Sequence, residues 1–220
     1  MNLSFATVHT SHSLLICRKS ALLLLLLSVA GLVTLNSSVA LAQGYTFSGF
    51  ATQYDQNTIE LTPAQTNRQG WAVSNAPIDL SESVELEFDL HVGRSAGVDG
   101  MVFIFHNDPR GPLARGCTGE ALGYGSHPSN GHNCNWGNWS AISPSVGIEF
   151  DTFRNPRYGD PSQDHVAYLE DGNMDHGNDY VIIDSLGNER YHSFRFRWEP
   201  SVDSLFIYID STLIITRERD

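Results

Sequence analysis

The stretch that decides the fold runs from Ser145 to His165 and reads SVGIEFDTFRNPRYGDPSQDH. Its first eight residues, 145–152, predict a buried β-strand. Because alternate side chains of a strand share a face, Glu149 and Asp151 point the same way. Two neighbouring carboxylates repel each other and raise each other's pKa unless a cation lies between them. The stretch therefore predicts a strand that presents a cation site.

The loop after this strand adds further metal-binding side chains. Asn155 and Asp160, together with a backbone carbonyl, form an oxygen-rich set that suits a hard cation such as Ca²⁺. His165 adds a nitrogen, which suits a transition ion such as Mn²⁺ better than calcium. The spacing predicts two neighbouring ions bridged by Asp151 and Asp160. The alternative is a solvated acidic loop that contains a histidine with its own hydrogen-bond partners.

The rest of the chain also predicts β-structure. Five further segments predict strands: Val84–Val92, Met101–Phe105, His192–Trp198, Ser204–Asp210 and, after a turn at Asp210-Ser211, Leu213–Ile215. The segment Val84–Val92 alternates strictly, with Glu85, Glu87, Asp89 and His91 on a solvent-exposed face. The segment Met101–Phe105 is continuously apolar, as in a fully buried strand. Helical periodicity is absent from the sequence beyond single turns. The pattern predicts an all-β sandwich of two antiparallel sheets.

The N-terminal segment 1–42 has the pattern of a secretory signal peptide. The basic pair Arg18-Lys19 precedes the apolar run Ala21–Leu35, and small residues lead to a predicted cleavage site between Ala42 and Gln43. The alternative is an uncleaved membrane anchor. The run has 15 residues, fewer than the roughly 20 that span a bilayer. Cleavage predicts an exported protein, either secreted, periplasmic or held at the cell surface.

The predicted mature chain, 43–220, is one acidic domain. It keeps 11 arginines, no lysine and all 25 acidic residues, a formal net charge of −14. Such a chain is a poor candidate for binding nucleic acids or anionic membranes. It contains no second segment long and apolar enough to span a membrane. The acidic excess suits solubility or the binding of cations.

The mature chain contains two cysteines, Cys117 and Cys134, within the long irregular stretch Asn107–Ser143. In an oxidising compartment two cysteines most often form a disulfide. The more specific alternative is a zinc site formed by the two cysteines together with His127 and His132, although this spacing matches no common zinc motif.

The sequence resembles an L-type, legume-lectin-like domain from about Tyr45 to about Ile215. The blocks that carry the resemblance are SVGIEFDTFRN…GDPSQDH, the upstream GVDGMVFIFHNDP and the glycine-rich GEALGYG. The resemblance implies a concanavalin-like jelly roll that binds glycans without catalysis. It implies a transition-ion set of Glu149, Asp151, Asp160 and His165, and a calcium set of Asp151, the Phe153 carbonyl, Asn155 and Asp160.

The resemblance also implies a sugar site formed by Asp99, Asn155, the Phe153 ring and a backbone N–H of the glycine loop, assigned to Gly119. A carboxylate accepts hydrogen bonds from sugar hydroxyls, an amide donates to one, and an aromatic ring covers the apolar face of the sugar. The sequence departs from the family at Glu120, where many plant members have glycine. It also stops at Asp220, whereas the family continues with further strands, so we expect a fragment or a truncated reading frame. The identity of the sugar stays open.

Two other functions compete with the lectin. Related jelly-roll glycoside hydrolases carry a Glu-x-Asp-x-x-Glu strand motif, but this chain has Phe153 and Arg154 where the second glutamate is needed. We therefore expect no enzyme activity. The other alternative is a metal-stabilised adhesion domain with a vestigial sugar site.

Overall fold

The computed structural model describes residues 1–8, 13–17, 44–94, 99–126, 134 and 139–219. These residues form two seven-stranded antiparallel sheets. The front sheet consists of β1 (Asn2–Val8), β3 (Tyr45–Gly49), β6 (Gln69–Ser74), β8 (Gly100–His106), β9 (Ser145–Asp151), β10 (His165–Glu170) and β11 (Tyr180–Ile182), in the order β11-β10-β9-β8-β1-β6-β3. The back sheet consists of β2 (Ser13–Cys17), β4 (Thr52–Gln53), β5 (Thr58–Thr62), β7 (Val84–His91), β12 (His192–Glu199), β13 (Ser204–Ile209) and β14 (Thr212–Glu218), in the order β14-β13-β12-β7-β2-β5-β4. The predicted all-β sandwich is confirmed.

An aromatic core joins the two sheets. Phe88 of β7 and Phe194 of β12 are register partners in the back sheet, and their ring centroids lie 4.7 Å apart. Phe103 of β8 packs on both from the front sheet, at 5.5 and 5.1 Å. These side chains come together because alternation in each strand directs its apolar residues to the same inner face.

A second apolar layer covers the outer face of the front sheet. Val102 and Ile104 of β8 pack there with Leu122, Tyr124 and Ile142 of the long stretch between β8 and β9. Strand β8 is consequently buried on both faces, which explains why its sequence is apolar without alternation. This second layer matters for function because it leaves the outer face of β9 and β10 inside the protein rather than in water.

Cys117 and Cys134 form a disulfide within that layer, with their Cα atoms 4.7 Å apart. The predicted pairing is confirmed, and the sulfur atoms are therefore not free to act as zinc ligands. His127 and His132, the other members of the alternative zinc set, lie outside the described residues. By the chain-entropy estimate, a loop of this length adds about 3 kcal/mol of stability.

The six predicted strand segments correspond to β7, β8, β9, β12, β13 and β14, and the described residues form eight further strands. The turn at Asp210-Ser211 is present, with both residues at positive φ as a tight hairpin requires. Asp89, predicted on a wet face, is buried at 6% exposure. Tyr191 lies over this end of β7, with its ring 5.3 Å from that of His91, so the strand is exposed only towards its start.

Part of the predicted signal peptide belongs to the sheets in this structure. Strand β1 pairs with both β8 and β6, and β2 pairs with both β7 and β5. Each therefore occupies an interior position of its sheet. The apolar run Ala21–Leu35 and the predicted cleavage site lie outside the described residues, so cleavage stays a prediction. In the part of the chain that the structure describes, no helix is long and apolar enough to cross a membrane.

Candidate metal centre

Strand β9 brings the two predicted carboxylates to the outer face of the front sheet. Asp151 lies opposite Gly100 of β8 on one side and opposite His165 of β10 on the other. Glu149 and Asp151 are each only 2% exposed. Gly100 permits the close approach of the strands, because a Cβ there would lie 2.2 Å from the Phe150 carbonyl oxygen.

The loop after β9 folds around its own carboxylates. The backbone N–H of Phe153 donates to Oδ1 of Asp151, and the backbone N–H of Asn155 donates to Oδ2 of Asp160. A 3-10 turn at Pro156–Tyr158 then returns the chain. It ends at Gly159, whose φ of +88° favours glycine. The loop is therefore held in place by the same side chains that were predicted to bind metal.

The structure brings the four predicted transition-ion ligands together and adds a fifth residue. One group of candidate ligand atoms comes from Asp151, Asp160 and His165, and a second comes from Glu149, His165 and His176. Within each group the atoms lie within 4.8 Å of one another. The residue common to the two groups is His165, whereas the sequence predicted that Asp151 and Asp160 would be shared.

The electrostatics of the cluster favour a bound cation. Burial, the largest cause, raises the pKa of Glu149 to about 8, with a further rise from Asp160. Burial and the Glu149 charge likewise raise the pKa of Asp151 well above its usual value. Glu149 Oε2 and His165 Nε2 are buried without a hydrogen-bond partner among the described residues. Buried polar atoms normally have partners, so these residues fit a metal ion.

His176 was not predicted as a ligand. Residues 171–172 form a turn, with Asp171 and Gly172 at positive φ, and Met174 is buried just after it. This turn carries the His176 side chain into the cluster. The sequence offers no signal for that placement, since eleven residues separate His165 from His176 with no common periodicity.

The predicted sugar-binding residues lie on three loops that contact one another. Arg157, next to the Asn155 loop, forms an ion pair with Glu120, which follows Gly119. The negative charge of Glu120 also repels the Asp99 carboxylate. Burial, the larger cause, and this repulsion together raise the pKa of Asp99 to about 6. The Asp99 carbonyl accepts a hydrogen bond from the Thr152 N–H at 3.1 Å.

Two features distinguish this end of the molecule. The Phe153 ring is 45% exposed, although it adjoins a strand that is buried throughout. Asn155 and Gly119 are partly exposed. The arrangement therefore offers an exposed ring, a carboxylate and an amide beside a buried acidic cluster, which can present donors and acceptors to a polar ligand.

Comparisons with known proteins support this description. Residues 36–220 match the legume lectin β-barrel domain. Among solved structures, the chain resembles the lectin from Bauhinia forficata in complex with GalNAc, with a TM-score of 0.61, 22% identity, and 81% of this chain and 79% of that chain covered. It also resembles lectin II from Ulex europaeus, with a TM-score of 0.61, 20% identity, and 81% and 78% covered. At these identities the structures share the jelly-roll fold.

Proposed function

The chain belongs to the legume lectin β-barrel domain family, and from that premise we propose that it is a calcium-dependent carbohydrate-binding domain without catalytic activity. The observation that carries the proposal is the pair of hydrogen bonds from the Phe153 and Asn155 amides to Asp151 and Asp160. They join the buried acidic cluster to the loop that carries the exposed ring and the amide.

Calcium would be held by the carboxylates of Asp151 and Asp160, the side-chain oxygen of Asn155 and the carbonyl of Phe153. This is an all-oxygen set of the kind that calcium prefers. The ion would supply fixed positive charge that neutralises the cluster and orders the loop. Because the loop is ordered before the ligand arrives, less free energy is spent on ordering during binding.

The sugar would be bound by Asp99, Asn155, Phe153 and the N–H of Gly119. Asp99 accepts hydrogen bonds from two hydroxyls, and the Asn155 amide donates to another. The Phe153 ring covers the apolar C–H face of the sugar. Among the similar structures, one lectin is a complex with GalNAc and another, UEA-II, with galactose. These sugars are therefore sensible first members of a test panel.

A non-catalytic function is supported by the positions of the Glu149 and Asp151 carboxylates. Retaining hydrolysis needs two carboxyl groups about 5–5.5 Å apart on either side of the scissile bond. Glu149 and Asp151 are both buried on the cluster side of β9, and Arg154 is exposed where a second catalytic glutamate would be needed. Export is supported by the signal-like pattern of residues 1–42 and by the disulfide, which suits an oxidising compartment.

The proposal is tested by calorimetry of the protein against mannose, galactose, GalNAc and oligosaccharides, with calcium and after EDTA treatment. We expect binding of at least one glycan with calcium and none after EDTA. Asp99→Ala should abolish binding without lowering the Tm. A variant that binds as well as the parent protein overturns the site.

Two other outcomes favour the alternative functions. Stabilisation by calcium without binding of any glycan favours the adhesion domain. Release of reducing sugar from a β-glucan, lost in Glu149→Gln, favours the hydrolase.

A further inference from the structure

His176 lies between two acidic side chains of the cluster. Its Nε2 atom is 3.2 Å from Oδ1 of Asp160 and 3.9 Å from Oε2 of Glu149. Its ring centroid is 5.2 Å from that of His165. The His176 side chain is fully buried. A second imidazole therefore lies among the predicted ligands.

The shorter of these separations suits two ligands of one metal ion as well as a hydrogen bond. Two ligands bound tetrahedrally to zinc at about 2.0–2.2 Å lie roughly 3.3–3.6 Å apart. The distance from His176 Nε2 to Asp160 is close to that range, and the distance to Glu149 is somewhat longer. Glu149 Oε2 and His165 Nε2 are both buried and lack a hydrogen-bond partner among the described residues, although each belongs to the group that contains His176. Buried polar atoms normally have partners, so these two atoms fit a role as metal ligands.

We propose that His176 is a direct ligand of the transition ion, completing a set with Glu149, Asp160 and His165, and that the site selects Zn²⁺ over Mn²⁺. Two imidazoles and two carboxylates form a closed four-ligand set, which zinc accepts as a tetrahedron. Manganese prefers oxygen ligands and water at six positions, so a second imidazole favours zinc. This inference rests on the metal site of the proposed function and leaves Asp151 to the calcium ion.

Aromatic packing holds His176 in position. The Tyr180 ring packs against both imidazoles, with centroids 5.4 Å from His176 and 5.6 Å from His165. A groove of about 360 Å³ includes His176 in its lining, and the Asp179 carboxylate in the same groove is paired with Arg217.

The competing interpretation is that His176 forms an ion pair with Asp160 and Glu149 and binds no metal. X-ray absorption spectroscopy of the full protein loaded with Zn²⁺ and calcium separates the two. We expect two imidazoles bound to zinc. A single imidazole overturns the proposal, and this measurement needs no variant that has to fold.

Titration of the calcium-saturated, transition-metal-free protein with Zn²⁺ and with Mn²⁺ provides the second test. His176→Gln should weaken zinc binding by more than the roughly 10–100-fold lost with an outer-shell partner, and should change manganese binding little. His165→Gln should weaken both ions. The matched control is His106→Gln, a buried histidine at the far end of β8, which should change neither. Equal zinc affinity in His176→Gln and the parent overturns the inference.

Failure of this inference can be told apart from failure of the proposed function. If the protein binds glycan with calcium but zinc has a single imidazole ligand, the proposed lectin function stands and the role of His176 is wrong. If zinc has two imidazole ligands but no glycan binds, the role of His176 stands and the lectin function is wrong.

Discussion

The backbone N–H of Asn155 donates a hydrogen bond to Oδ2 of Asp160, at an N···O distance of 2.5 Å. A residue predicted to bind the sugar is thus held directly by a residue predicted to bind calcium. The contact links the two functions, since any change in the charge of Asp160 acts on the loop that carries Asn155.

Asp160→Asn should remove the calcium response while changing the metal-free protein little. The amide oxygen still accepts the Asn155 hydrogen bond, and the lost charge relieves the repulsion of Glu149 and Asp151 but weakens the contact with His176. We expect the EDTA-treated variant to be about as stable as the EDTA-treated parent. The calcium-dependent stabilisation, about 2.7 kcal/mol at calcium 100-fold above Kd, should be largely lost. Thermal unfolding checks this, with exposed Asp203→Asn as control; an unchanged calcium response contradicts it.

The metal-free protein should lose stability as the pH rises. Burial raises the pKa of Glu149 to about 8 from a usual value of 4.5, so the folded state binds the proton more tightly than the unfolded state. Its contribution is fully present below pH 4.5 and is lost as the pH rises through about 8. Thermal unfolding between pH 5 and 8 measures the loss. Zinc, or Glu149→Gln, should flatten the profile, and a parent protein whose Tm rises over this range contradicts the assignment.

Sugar binding should weaken as the pH falls through about 6, and Glu120→Gln should lower that midpoint. Burial and Glu120 raise the pKa of Asp99 to about 6, and a protonated carboxyl is a poorer acceptor. Removing the Glu120 charge removes the second cause. Calorimetry compares the pH midpoints of sugar binding in the parent and in Glu120→Gln. The calcium concentration is held fixed because bound calcium itself changes the pKa of Asp99. Identical midpoints rule out an effect of Glu120 on the Asp99 carboxyl.

Phe153→Ala should weaken sugar binding without affecting the fold. The ring is 45% exposed, so its removal opens no cavity. Loss of an aromatic contact of about 1 kcal/mol predicts a roughly fivefold loss of affinity. Phe50→Ala is the matched control, because that ring is 44% exposed. Equal losses in both variants argue against a sugar contact at Phe153.

We expect the exported protein to begin at Gln43, as intact-mass spectrometry will measure. Removal of residues 1–42 takes away β1 and β2, but strands β11, β10, β9 and β8 stay hydrogen-bonded to one another. Calcium binding should therefore survive in a chain that begins at Gln43. The newly unpaired edges of β8 and β7 should increase self-association, which size-exclusion chromatography detects. Loss of calcium binding contradicts the independence of the site from β1.

Much of the candidate site could be predicted because it is local. Glu149 and Asp151 share a face as a consequence of strand geometry, and the fold class follows from alternation in several segments. Asn155 and Asp160 lie within ten residues of the strand, so the loop between them has few ways to place them. The disulfide follows from two cysteines in a chain with an export pattern, and the pairing is confirmed.

Contacts between distant loops could not be predicted in this way. His176 reaches Glu149 because Met174 is buried on Gly125 and because Gly177 packs against Gly159. Glu120 reaches Arg157 across a separation that no periodicity describes. Such contacts depend on how whole loops pack, and many loop conformations share the same local sequence preferences.

The sequence by itself determined the two-sheet architecture, the paired carboxylates and the oxygen-rich loop that follows them, because each depends on residues near one another in the chain. Only the tertiary structure decided that a second imidazole joins the cluster, that Glu120 acts on Asp99, and that Asp89 is buried. The physical reason is that burial and the distance between charges are properties of packed surfaces, which form only when segments far apart in sequence meet.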